Sequence, residues 1–296
     1  VRGAAVQLYP ASASSEDAGQ TNGLSAFGSD GFSLGTDAGV NVNNGTFVSW
    51  NWKAGTSFTN DASSTGIGTI DSAGSFNNDS GFSIVSWTGT GNTGTIKHSL
   101  SQKPSMIIVK KRNASEDWEI YHKSLGATKD IRFTTGASFS SALWNNTEPT
   151  SAVFSVLTGQ SVNNSGSTYI AYCFSEKKAY SKISSFVGNG NDNGSYIHLG
   201  FSPALVILKQ SSASGQSWQI ADNRRKGYNP NGWYLRANSG DGEETSTTHS
   251  QMDLLSSGFK LRTSHAQHNA SGSKYIFAAF AENPFVTSTG IPTTAR

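Results

Sequence analysis

Three kinds of side chain in this sequence could do chemistry, and their spacing decides what each is fit for. Asp241, Glu243 and Glu244 fall within one Gly-containing stretch, and Glu116-Asp117 precedes Trp118. Cleaving a glycosidic bond needs two carboxyl groups on opposite sides of a sugar, and these are the carboxylates that could supply such a pair. The position that aligns with Glu116-Asp117 about one hundred residues later holds Gln216-Ser217, and Asp241 to Glu244 have no earlier counterpart. A solvated loop is the expectation for both. His98 and His198 occupy equivalent places, but nothing acidic recurs beside them, and catalysis needs a positioned partner as well as an imidazole. His265-Ala266-Gln267-His268 could offer a metal two ligands at most, with no cysteine nearby, so no metal and no cofactor is expected. Gly89-Thr90-Gly91 and Gly188-Asn189-Gly190 follow strand patterns, but no helical pattern follows them. They read as turns and not as phosphate cradles. Cys173 is the one cysteine, aligns with Asn51 and Ala279, and is expected to be an inert small side chain.

Aromatic side chains are the stronger candidates for a functional surface. Trp118 and Trp218 recur at one position and are expected to anchor a core. Trp144, Trp233 and Tyr228 do not recur, and an exposed aromatic face near Asn or Asp can stack on a sugar ring. These three, with His265 and His268, form the candidate ligand-binding set. Lys110-Lys111-Arg112 and Arg224-Arg225-Lys226 are the basic clusters, each after an apolar strand, and solvated strand ends are expected of them.

The elements that must hold these residues are strands. The chain has 296 residues, 35% of them hydrophobic and 14% charged, whereas soluble domains run at about 45–50% and about 25%. Disorder would need high net charge as well, yet the formal charge is +2 and aromatic residues make up 11%. Balanced charge also argues against nucleic acid, which calls for a concentrated basic footprint. No apolar run approaches the ~18 residues that read as a membrane span, so no membrane insertion is expected. Met106-Ile107-Ile108-Val109 and Leu205-Val206-Ile207-Leu208 are short, continuously apolar runs of the kind buried on both faces of a sheet.

A repeat organises the chain. Lys103-Pro104 to Lys110 matches Ser202-Pro203 to Lys209 at an offset of 99, and Trp118-Glu119-Ile120 matches Trp218-Gln219-Ile220 at 100. A closing element occurs three times: Phe32-Ser33-Leu34 running to Phe47–Trp52, Phe154-Ser155-Val156 to Tyr169–Phe174, and Phe259-Lys260-Leu261 to Tyr275–Phe280. About one hundred residues with many short strands per copy predict an all-β protein of tandem, jelly-roll-like β-sandwich repeats. Residues 1–55 are expected to be the C-terminal half of a partial repeat and 56–80 a Gly/Ser/Thr-rich linker. Residues 81–178 and 179–286 are expected to be complete sandwiches, with 287–296 a tail. The start at Val1 without an initiator Met suggests a longer parent polypeptide upstream.

The order of these motifs (Trp87-Thr88-Gly89-Thr90-Gly91, the Pro104–Lys110 strand, Trp118 followed by Tyr121-His122, and Asn163 to Tyr172) resembles an uncharacterised β-rich repeat family of marine, cyanophage-like bacteriophages, found in virion and tail-fibre proteins. The resemblance covers roughly residues 20–286. It implies a non-catalytic tail-fibre or surface-appendage segment on the virion. Other virion proteins, its own copies in a homotrimer and a host surface glycan are the partners expected of such an appendage. The last copy departs from the pattern at Ala221-Asp222, where the first has Tyr121-His122. A capsid decoration or head-fibre protein is one alternative; a polysaccharide-cleaving or carbohydrate-binding module is another.

Overall fold

A computed structural model describes residues 2–245 and 251–283; the 287–296 tail expected from the sequence lies outside the described residues. The chain is all-β. A hairpin of β1 (Leu24–Phe27) and β2 (Phe32–Leu34) leads to the one-turn helix α1 (Ala38–Asn41). Next come β3 (Thr56–Asn60), α2 (Ala62–Thr65), β4 (Ser72–Asn77), β5 (Phe82–Thr88), β6 (Gly94–Lys97), β7 (Met106–Lys111), β8 (Glu119–His122), β9 (Lys129–Arg132) and β10 (Phe139–Ser140). They are followed by β11 (Val153–Val156), α3 (Gln160–Asn163) and β12 (Thr168–Phe174). The second half contains β13 (Ser181–Val187), β14 (Tyr196–His198), β15 (Pro203–Gln210), β16 (Gln219–Asp222), β17 (Trp233–Arg236), β18 (Glu244–Thr245), β19 (Met252–Leu255), β20 (Gly258–Leu261) and β21 (Lys274–Ala281).

Each half has one large antiparallel sheet, ordered β10-β9-β8-β7-β12-β5-β4-β3 in the first and β13-β21-β15-β16-β17-β18 in the second. The closing strand sits centrally in both, β12 between β5 and β7, and β21 between β13 and β15. Small sheets, β11-β6 and β14-β20-β19, supply the second layers. The period-2 alternation of a strand then divides its side chains between two cores. In the first half Val85, Trp87, Ile107, Val109, Tyr169, Ala171 and Cys173 meet Ile96, Phe154 and Val156 of the small sheet. In the second Val206, Leu208, Tyr275, Phe277 and Ala279 meet Phe259 and Leu261. The opposite faces of the large sheets meet each other: Phe82, Met106, Ile120 and Phe174 pack with Ile183, Leu205, Ile276 and Phe280. That is why β7 and β15 are apolar at consecutive positions.

Two expectations are corrected. Residues 56–80 are not a linker: β3 and β4 extend the first large sheet in register with β5. Small polar residues suit the mostly exposed edge strand β3, and Gly74 in β4 lies so close to Ile84 O that a Cβ would stand 2.0 Å from it. Residues 46–52, aligned with β12 and β21, form no strand, because the strands that flank β12 in a complete copy are missing around them. Trp52 instead wedges between the halves, edge-on to Phe174 and Phe280 at 5.9 and 5.2 Å.

Candidate functional site

The polar edge of the second large sheet gathers charged and aromatic side chains around β16, β17 and the loops after them. Asp222, at the end of β16, accepts the Arg224 and Arg225 backbone N–H groups through Oδ1 and Arg225 Nε through Oδ2 at 2.6 Å. The same guanidinium reaches Glu243 Oε1 at 2.7 Å and Ile220 O at 2.8 Å, and its Cζ lies 5.7 Å from the Trp50 ring centre. Asn229 donates to Leu254 O and accepts from Leu254 N, both at 2.9 Å, so its amide pins the 223–232 loop to β19. On that pinned loop Tyr228 is 69% exposed, with Lys226 Nζ 4.8 Å from its ring centre. A solvent-facing phenol beside an ammonium can stack on a sugar ring while the cation meets an acidic or hydroxyl substituent.

The other four candidates do not join Tyr228 in one exposed cluster. Trp233 is half-buried on β17, opposite Thr245. Trp144 is buried in the first core, edge-on to Tyr121 at 5.9 Å, so the expectation of an exposed aromatic is corrected. His268 is also buried, 6.3 Å from the Tyr234 ring, and burial pulls its imidazole down to about 3. His265 is half-buried, and its Nδ1 accepts the Gln267 N–H at 3.2 Å. His265 thus braces the β20–β21 loop, while neither ring nitrogen of the buried His268 has a hydrogen-bond partner. Among the described residues no group of three or more His, Cys, Asp or Glu could hold a metal ion.

Of the carboxylates that could cleave a sugar bond, Asp117, Asp241, Glu243 and Glu244 are engaged by arginines. Arg236 holds Asp241 at 2.9 Å and Glu244 at 3.2 Å, while Glu243 pairs with Arg225. Hydrogen bonds from Ser239 and Arg236 keep the Asp241 carboxyl below its ordinary range, the opposite of what a general acid needs. Cys173 is buried among apolar side chains, which pushes its thiol pKa well above the ordinary value. His98 and His122 are buried as well and bond the backbone through both ring nitrogens, His98 to Thr150 O and Leu100 N, and His122 to Ser124 N in the following turn and Phe277 O in β21.

Several features escape a reading by motif. A polar groove of about 360 Å³ crosses β3, β4, β5 and β12, lined by Asn60, Asp61, Asp71, Thr88, Arg112 and Thr168; no local pattern links residues so far apart in sequence. Glu119 and Asp130 face each other fully buried, and burial beside Glu119 raises the Asp130 carboxyl well above the ordinary carboxylate range. By contrast Gly31-Phe32-Ser33-Leu34-Gly35 does match the nucleophile-elbow motif in sequence, but Ser33 sits within β2 opposite Ala26 and not on a strand-to-helix turn, so the match is not an elbow.

The repeated Lys and Trp build two like sockets. Lys110 Nζ donates to Ala13 O and Glu116 O, Glu116 N donates to Ala13 O, and Trp118 Nε1 donates to Tyr9 O and Ser12 O. In the second half Lys209 Nζ donates to Thr135 O and Gln216 O, Gly215 N to Thr135 O, and Trp218 Nε1 to Arg132 O. The first socket therefore grips the N-terminal arm and the second grips the first half.

Among the described residues no helix is long and apolar enough to cross a membrane. No curated protein and no solved structure matches the chain. A family model described as a domain of unknown function, DUF7483, matches residues 1–284, and the chain belongs to that family.

Proposed function

We propose that this protein is a non-catalytic structural component of a bacteriophage particle, a tail-fibre or surface-appendage segment that presents loops to the host envelope. The observation that carries the reading is the apolar contact between the two large sheets. Ile120, Phe174, Trp218, Ile276 and Phe280 are buried in it, so the two sandwiches are held as one stiff body and not strung on a flexible tether. Stiffness along a stack of β layers suits an appendage under mechanical load, and a formal charge of only +2 gives nucleic acid no concentrated basic footprint to bind. The carboxylates on the candidate surface are neutralised by arginine, which suits contact and not bond cleavage. The pinned loop bearing Tyr228 is the contact we assign to a host surface glycan, with other virion proteins and a homotrimer as the structural partners.

Gold-labelled antibody imaging of intact particles tests this directly. Label at tail tips or on lateral fibres is the expected result. Label spread over the head in lattice stoichiometry would replace the fibre by a decoration protein, and absence from particles would overturn both.

A further inference from the structure

Residues 31–52 carry the closing half of a sandwich without its opening half. Register with the first complete copy is constant at 122 residues. Phe32 corresponds to Phe154, Leu34 to Val156, α1 to α3, Asn41 to Asn163 and Phe47 to Tyr169. Even the left-handed backbone recurs, at Asn44 with φ 61° and Gly166 with φ 71°. In the second copy the same places hold Phe259, Leu261, Asn269 and Tyr275. The surroundings differ. Phe154, Val156 and Tyr169 are at most 1% exposed, whereas Phe32, Leu34 and Phe47 are 39%, 39% and 53% exposed.

The complete copies show what covers these positions. β11 pairs with β6 and β20 with β14, whereas among the described residues β2 pairs only with β1, which takes the place that β19 holds beside β20. Tyr169 stacks on Trp87 at 5.3 Å, and Tyr275 stacks on Phe186 at 5.0 Å. Asn163 Oδ1 accepts Thr90 N in the Gly-x-Gly turn after β5, and Asn269 Oδ1 accepts Asn189 N in the turn after β13. Asn269 also donates from Nδ2 to Thr263 O, and Asn41 keeps that bond as Nδ2 to Gly35 O at 2.7 Å. Among the described residues no Gly-x-Gly turn lies against Asn41.

A free strand edge, an uncovered apolar face and an unused amide oxygen thus point to one complement. We propose that residues 31–52 are a docking surface for the opening half of a family repeat, a polypeptide with the pattern of residues 82–123. Its aromatic-x-Gly-x-Gly strand end would stack on Phe47 and bond Asn41, and its following strand would pair with β2. Main-chain pairing supplies affinity in such strand complementation, and the aromatic and glycine positions supply specificity.

The test uses the whole chain with a second copy of the 82–123 sequence joined ahead of Val1 through a flexible Gly/Ser linker, which holds the complement at high effective concentration. Hydrogen exchange of residues 31–52 is read with and without the added segment. Exchange slowed by about 100-fold is expected, reversed when the added segment carries alanine at the places of Trp87 and Gly89, and weakened by Asn41→Ala. Unchanged exchange, or slowing that survives those substitutions, overturns the proposal. Protection that instead rises with concentration in the unmodified chain would make a second copy the occupant, which overturns it too. None of these outcomes depends on where the protein sits in a particle.

Discussion

Trp144 and Tyr228 entered the candidate set on the same ground, that neither recurs, and the fold separates them. Trp144→Ala should cost about 3–5 kcal/mol, because the indole fills a core against Tyr121. Tyr228→Ala should stay within about 0.5 kcal/mol, since the phenol is mostly exposed, while weakening retention on host glycan. Urea titration of both variants checks the first contrast and glycan-array binding the second; an unstable Tyr228→Ala would mean that the loop is structural. Asp130 gives a residue-scale prediction with a sign. Its Oδ1 accepts Ile120 N at 2.9 Å, and its raised pKa keeps a proton on the carboxyl facing Glu119. Below the unfolded value of about 4 both states hold that proton. As pH rises above that value the unfolded state releases it while the folded state holds it, so stability falls. Asp130→Asn keeps an acceptor for Ile120 and an N–H for Glu119 with no proton to lose. The variant should gain at least about 1 kcal/mol over the parent at pH 8 and lose that advantage towards pH 4. His98, His122 and His268 act at the other end. Burial lowers them to about 4, 4 and 3, so stability falls as pH drops from about 6.5 towards 4 in parent and variant alike. The parent–variant difference therefore isolates Asp130, and equal stability at pH 8 would refute the shared-proton arrangement.

At the scale of elements, the two sockets make a paired prediction. Trp118→Phe and Trp218→Phe each keep a ring and delete an indole N–H, at a cost of about 1 kcal/mol for the lost hydrogen bond. The first should speed amide exchange in the N-terminal arm around residues 9–17 and leave the second half untouched. The second should speed exchange at 132–138, where the first half is gripped, and leave the arm as it was. A common response of both segments to either variant would mean that the sockets are not separate. How much of this could be read beforehand follows from what each element depends on. β7 and β15 announce themselves, because a strand buried on both faces must be apolar at successive positions, and Met106–Val109 and Leu205–Leu208 are. Trp118 and Trp218 could be recognised as anchors from their recurrence, and both are buried. β3 and β4 were not legible, since an edge pair with Ser72, Gly74 and Thr59 has the composition of a linker and is defined by its partner β5. Residues 46–52 fail in the opposite sense: their aromatic and β-branched residues have strand character, but a strand needs neighbours to pair with. Tyr228 could be named from its type and its lack of a repeat, but what pins its loop, Asn229 on Leu254, spans 25 residues and leaves no local pattern.

For the whole molecule, the contact between the two large sheets decides whether the halves unfold together. The join between β12 and β13 is short, and His122 Nε2 reaches across it to Phe277 O at 3.4 Å. Phe280 is the centre of the aromatic contact, with Trp52 at 5.2 Å, Phe174 at 5.9 Å and Tyr180 at 6.1 Å. Two domains joined by such a surface share its free energy, so loss of one exposes apolar area on the other and the two melt as one. Burying a Phe side chain contributes about 1.5–3 kcal/mol, and an unpaired carboxylate in its place adds a desolvation penalty on top. Phe280→Asp should therefore loosen the contact while leaving the first core, built on Val85, Trp87 and Val109, outside its reach. Calorimetry of the parent should give one transition with equal calorimetric and van't Hoff enthalpies. The variant should give two, the lower belonging to the second half, where β21 is central to the sheet and loses a buried side chain. Trp52→Ala removes a ring that belongs to neither sandwich core and should bring the two transitions apart without a carboxylate, by a smaller margin. If both variants keep one transition, the halves are coupled through the Lys209–Trp218 socket and the short join, and the stiffness proposed for an appendage would rest on those polar bonds instead.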